Sequence, residues 1–126
     1  MEGVIILAHG SRRQETDRIL DSLTKKVTDR ATDQRVIPAY LQFSPNSLDK
    51  AVEQLVGEGV TRIKVIPMFL FDGIHVTEDI PEELEAMGER YPEVDIRMSR
   101  HLGDDDRIAD IILDRMASLQ WEEAGV

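Results

Sequence analysis

Two histidines define the chemistry open to this chain. His9 ends the apolar run Val4–Ala8; His75 lies in the stretch Pro67–Leu84, which opens with Met68-Phe69-Leu70-Phe71 and turns at Asp72-Gly73. Neutral imidazole is a good ligand for borderline divalent ions such as Co²⁺, Fe²⁺, Ni²⁺ and Zn²⁺. Two such ligands leave the coordination sphere unfilled, so a bound ion can still be passed on. The chain has no cysteine, which excludes disulfides, thiolate metal sites and cysteine nucleophiles. Apolar surface beside an imidazole suits a flat, apolar, metal-binding ligand. The alternative is that Phe69 and Phe71 extend a strand into the core.

Other groups cluster around these two. Gly10-Ser11 is read as opening a helix whose backbone N–H groups favour anions, and Arg12 and Arg13 add positive charge there. A carboxylate-bearing ligand would suit them; a solvated first turn is the plain alternative. Glu78, Asp79, Glu82 and Glu83 crowd the helix start after His75. They either complement that helix's dipole or take up protons and deliver metal. Gln42 can line the same rim but cannot act as a base. No GxxxxGK[ST], GxGxxG or GxSxG motif is present, so neither a nucleotide phosphate loop nor a serine nucleophile elbow is indicated.

Positioning such groups requires a scaffold, and the hydrophobic pattern predicts one. Val4–Ala8 is an unbroken apolar run, as in a strand buried on both faces. Ile19, Leu20, Leu23 and Val27 fall at helical spacing. Val36–Leu41 reads as a second strand, placed at an edge because Pro38 cannot donate to a ladder. Ser44 and Pro45 read as N-cap and first residue of a second helix with the stripe Leu48, Ala51, Val52, Leu55 and Val56, ended by Gly57 and Gly59. Thr61–Ile66 is a third strand, stopped by Pro67; Ile80, Leu84 and Met87 mark the helix that follows the loop. Val94–Ser99 alternates strictly, as an edge strand does. Asp104 or Asp105 caps a last helix whose core stripe is Ile108, Ile111, Ile112, Met116 and Leu119.

The βαβαβαβα pattern with short loops implies a parallel sheet between helices, an α/β three-layer sandwich. Two edge strands and a buried first strand fix the order 2-1-3-4, which is flavodoxin-like. Ligands of such sheets bind at the carboxyl ends between strands one and three. His9 and His75, 66 residues apart, flank that crevice.

Length and composition agree. The 126 residues suffice for one domain, read as 1–120 with a frayed tail at 121–126. No apolar run approaches a membrane span, and the acidic N-terminus is unlike a signal peptide, so the expected location is cytoplasmic with no membrane partner. Residues 1–63 carry nine basic and nine acidic side chains, whereas 64–126 carry six and sixteen, accounting for the net charge of −10. A basic face for nucleic acid is therefore lacking.

AHGSR (Ala8 to Arg12), PMFLFDGIHVTEDIPEEL (Pro67 to Leu84) and LGDDDRIADII (Leu102 to Ile112) together resemble the class II chelatases of tetrapyrrole biosynthesis. The likeness is to the short, single-lobe sirohydrochlorin cobaltochelatase/ferrochelatase form and reaches to about residue 119. It implies a lyase that inserts Co²⁺, Fe²⁺ or Ni²⁺ into a sirohydrochlorin-type tetrapyrrole without ATP. The metal is substrate, and no tightly bound cofactor is implied. Such products would feed cobalamin, siroheme or another tetrapyrrole. The resemblance also implies that His9 and His75 are the metal-binding and catalytic residues, and that the protein is a homodimer. Gly10, Ser11, Arg12, Gln42, Phe69, Leu70, Phe71 and Gly73 would meet the substrate, and Glu82 and Glu83 are candidate proton acceptors. Where many members have Phe-Leu-Glu, this chain has Tyr40-Leu41-Gln42. Either that carboxylate is dispensable, or one near Glu82 or Glu83 substitutes, or the protein is a weak or divergent chelatase; the competing reading is a flavodoxin-like module that binds metal or tetrapyrrole without turnover. His101 matches no family position and is read as a loop residue.

Overall fold

A computed structural model of the chain describes residues 1–71, 73 and 78–121. Four strands and four helices alternate: β1 (Glu2–Ala8), α1 (Gln14–Arg30), β2 (Gln34–Tyr40), α2 (Leu48–Gly57), β3 (Arg62–Pro67), α3 (Ile80–Arg90), β4 (Asp95–Met98) and α4 (Asp106–Ser118). The sheet order is β2-β1-β3-β4, all pairs parallel, as the two edge signals predict. Pro38 sits on the edge strand opposite Ile6. Pro67 is the last residue of β3 rather than its stop, in register with Leu7.

β1 feeds two cores. Ile5 and Leu7 face α2 and α3, joining Val52, Leu55, Ile80 and Leu84. Val4, Ile6 and Ala8 face α1, joining Leu20, Val36 and Tyr40. Burial on both faces explains the unbroken apolar run.

The helices bring four corrections. Ser44 and Pro45 do not start α2: its N-cap is Ser47, whose hydroxyl accepts from the Lys50 N–H at 3.2 Å. The Ser44 hydroxyl instead accepts from Asn46 N–H. Residues 41–46 stay outside the helix because tertiary bonds claim their backbone: Tyr40 N–H donates to Asn46 O, and Leu41 N–H to Ala8 O. Gly10-Ser11 does not open α1, which begins at Gln14, because Ser11 turns the chain by accepting from Arg13 N–H. Of the apolar stripe expected on α1 only Leu20 is buried; Ile19, Leu23 and Val27 are exposed. The stripe expected to place α4 in the core is not in the core either. α4 buries no residue, and Ile111, Ile112, Met116 and Leu119 are exposed. Its cap is as read: the Asp105 carboxylate accepts from Arg107 N–H at 2.9 Å.

Candidate functional site

His9 follows the last residue of β1 and is exposed at the carboxyl end of the sheet. Its ring lies against Phe69, with centroids 4.2 Å apart at 47°. Phe69 is 5% exposed and belongs to the α2/α3-side core, so the ring bracing His9 is itself held in place. Phe69 is thus a core residue that also touches the His9 imidazole. Leu70 and Phe71 part from it, at 51% and 83% exposed.

Backbone bonds bind the neighbouring loops together. Gln42 N–H donates to His9 O at 3.1 Å, and Met68 N–H to Leu7 O at 2.8 Å. Gly10 has φ +87°, and a Cβ there would stand 2.0 Å from the Gln42 carbonyl oxygen. Only glycine allows this approach, which sets the loop after β1 against the loop after β2.

These ties frame a crevice of about 330 Å³ lined by His9, Leu41, Gln42, Asp79, Ile80 and Glu83. The imidazole, the amide and the Glu83 carboxylate read from the sequence therefore share one hollow. Glu83 has its pKa raised, first by partial burial and then by the charges of Asp49 and Asp79. A carboxylate so placed is a better base than an ordinary exposed one. Glu82 is exposed in the first turn of α3 and does not line the crevice. Burial, with Asp17 and Asp21 beside it, pushes the Tyr40 phenol up to about 12, so it stays protonated.

Phe43 was not singled out from the sequence. Its φ is +58°, unique for a non-glycine among the described residues, and its ring is 53% exposed. The Arg12 guanidinium lies over it, 4.9 Å from the ring centroid. Left-handed backbone costs a bulky residue about 1–2 kcal/mol. The conformation holds an aromatic face beside Gln42 at the crevice rim. Asp79, read in the sequence as part of the acidic cluster at this helix start, lines the crevice beside Glu83. Gly73 is exposed, and His75 lies outside the described residues. Among the described residues, no three His, Cys, Asp or Glu side chains are grouped to hold a metal ion, and no helix is long and apolar enough to cross a membrane.

Comparison with known proteins places this geometry in context. The sequence model of one family, CbiX, matches residues 3–119. A sirohydrochlorin ferrochelatase of Priestia megaterium is 33% identical over 92% of this chain, which spans 44% of that protein. A sirohydrochlorin cobaltochelatase of Methanocaldococcus jannaschii is 32% identical over 91% of the chain, which spans 97% of it. In fold, the chain is similar to the sirohydrochlorin chelatase SirB of Bacillus subtilis subspecies spizizenii, solved in complex with cobalt. The TM-score is 0.87 at 23% identity, covering 94% of this chain and 50% of that one.

Proposed function

We propose the following activity for this chain, which belongs to the CbiX family: it inserts a divalent metal ion, cobalt, iron or nickel, into a sirohydrochlorin-type tetrapyrrole without ATP. The observation that carries the proposal is the joint placement of His9, Gln42 and Glu83 in one crevice at the carboxyl ends of β1 and β2, with Phe69 against the imidazole. Insertion must strip water from the ion and remove two pyrrolic protons. His9 holds the ion from one side, and His75, on the loop that follows β3, is its partner. Glu83 takes up a proton, a transfer that its raised pKa favours over that to an ordinary exposed carboxylate. Leu70, Phe71 and Phe43 present apolar faces to the macrocycle. Arg12, with Gly10 and Ser11 shaping the loop around it, meets the macrocycle's acidic side chains. Gly73, two residues before His75 in the chain, also meets the macrocycle. The active form is a homodimer working in the cytoplasm.

The test is anaerobic mixing with sirohydrochlorin and Co²⁺, Fe²⁺ or Ni²⁺, following macrocycle absorbance. Rates equal to the protein-free control for all three ions would leave only the binding-module reading, which Gln42 at the crevice favours.

A base limb should appear in the pH–rate profile. Glu83 accepts a proton only when ionised, so the rate should fall as pH drops through its pKa, at a pH above that of an ordinary glutamate. Glu83→Gln should lower the plateau and erase that limb; an unchanged profile would remove Glu83 from the chemistry. Stability moves the opposite way. The folded state holds this proton more tightly than the unfolded chain, so stability present below the unfolded pKa is lost as pH rises through the folded one. Gln42→Glu puts a second carboxylate in the crevice and should shift the limb to higher pH by like-charge repulsion.

Phe43→Ala should raise KM for the macrocycle several-fold and leave kcat within about twofold, as expected for a contact of about 0.5–1 kcal/mol made equally before and during insertion. An unchanged KM would show that the macrocycle does not touch this ring.

A further inference from the structure

The Phe69 ring touches the His9 imidazole, and the backbone that carries this ring is held at two points. Before it, Met68 N–H donates to Leu7 O on β1 at 2.8 Å; after it, Gly103 N–H donates to Phe69 O at 3.3 Å. The chain passes there from buried Phe69 to exposed Leu70, so the second bond holds the last peptide before the surface. Gly103 lies in the loop that follows β4, and that loop is anchored at both ends. Ser99 N–H donates to Val65 O at 2.9 Å, and Asp105 caps α4. Gly103 has φ +47°, and a Cβ there would stand 2.7 Å from His101 Nε2 and 2.9 Å from its Cδ2. Left-handed backbone disfavours a residue with a Cβ, and the His101 ring already fills the space that the Cβ would need.

We infer that Gly103, with the His101 ring packed on it, is a positioning residue for His9. The Gly103 N–H fixes the Phe69 carbonyl, the fixed peptide sets where the Phe69 ring lies, and that ring braces the exposed imidazole at 4.2 Å between centroids. An exposed histidine side chain free of such a brace would sample several rotamers. Bracing narrows that range, and a ligand held in one orientation meets the ion and the macrocycle in one geometry. Gly103 and His101 touch neither ion nor macrocycle in this arrangement. They act from the loop after β4, across β3, on a residue at the end of β1. The same tie also holds the root of the segment that runs on to His75. The inference rests on the proposed role of His9 and deepens it: the loop after β4, which lines no part of the crevice, governs how well the crevice works.

Three measurements test this. In the wild type, the Gly103 amide should exchange with deuterium at least about tenfold more slowly than an unstructured peptide. Gly103→Ala should move the nuclear magnetic resonances of the His9 ring protons, which lie within reach of the Phe69 ring current. The same variant should lower kcat for metal insertion by about ten- to a hundredfold and leave KM for the macrocycle within about twofold. A simple loss of folded protein would do neither: the resonances of the folded fraction would stay in place, and the apparent rate would track the folded amount. The double variant His101→Ala/Gly103→Ala gives the new Cβ room, so it should recover most of the lost kcat and bring the His9 resonances back toward their wild-type positions. It also carries the test if Gly103→Ala alone does not fold. Exchange of the Gly103 amide at the unstructured rate, unmoved His9 resonances in folded Gly103→Ala, or a double variant as impaired as the single one would each overturn the inference. A wild type that inserts no metal would remove the proposed activity, while amide exchange and the ring resonances would still decide whether Gly103 positions His9.

Discussion

Replacing His9 with alanine is expected to cut the initial rate of metal insertion by about 100-fold or more, the range seen when a positioned acid–base group is lost. Fold stability should hardly change. The His9 side chain is exposed, and the loop around it is held by backbone bonds that alanine retains: Leu41 N–H to Ala8 O, and Gln42 N–H to His9 O. Phe69 keeps its place because the core, not the imidazole, holds it. The variant therefore isolates the imidazole. His75→Ala is expected to match it, and the double variant to lose little beyond either single one, because two ligands to one ion act as a unit. Absorbance of the macrocycle under anaerobic conditions provides the rate, and the midpoint of thermal unfolding provides the control. Wild-type rates in both single variants would dissociate the histidines from the chemistry.

Gly10→Ala is expected to be the most damaging glycine-to-alanine change among the described residues. The new Cβ would lie 2.0 Å from the Gln42 carbonyl oxygen, a backbone atom that cannot step aside like a side chain. It would also have to accept φ +87°. Left-handed strain alone costs about 1–2 kcal/mol, and relieving the overlap means parting the two loops. We expect a total loss of about 3 kcal/mol or more, seen as a drop in thermal midpoint on the order of 10 °C for a domain of this size. Insertion activity should fall with it even where the variant is still folded, because Gln42 and Phe43 move away from His9. Gly88→Ala is the matched control. It lies inside α3 with nothing within 4 Å of its added Cβ, so it should gain up to about 1 kcal/mol from helix propensity. An unaltered midpoint in Gly10→Ala would show that the two loops are not locked together.

The sheet was legible because its signals are local and chemical. Pro38 forces β2 to an edge, and the alternation of Val94–Ser99 does the same for β4. The place of His9 at the carboxyl end of the sheet was legible because it immediately follows β1, a strand buried on both faces. The start of α2 was not, since Ser44-Pro45 and Ser47 are equally good local caps; the choice is made by Tyr40 and Leu41 bonding outside the segment. Phe43 escaped notice because its exposure depends on one dihedral angle, for which the residue type gives no warning. α4 shows a different gap. Its periodicity correctly reports a helix with an apolar face, but such a pattern does not say that the domain's own sheet covers that face. Phe69 could be read either as core or as a contact for a ligand, and the structure puts it in the core, against the His9 imidazole.

The two strands at the ends of the sheet have a consequence for how this protein keeps in solution. β2 lacks one N–H at Pro38, and β4 is four residues long with Asp95 and Arg97 bonded to each other along it at 3.0 Å. A bare strand edge is a template on which another chain can lay itself and start a fibril. Here one margin has a break in its row of donors, and the other is short and guarded by a charge pair that would have to be dehydrated. Crowded copies thus have poor footing for growth by strand addition, and aggregation on heating should begin from unfolded chains rather than from native ones.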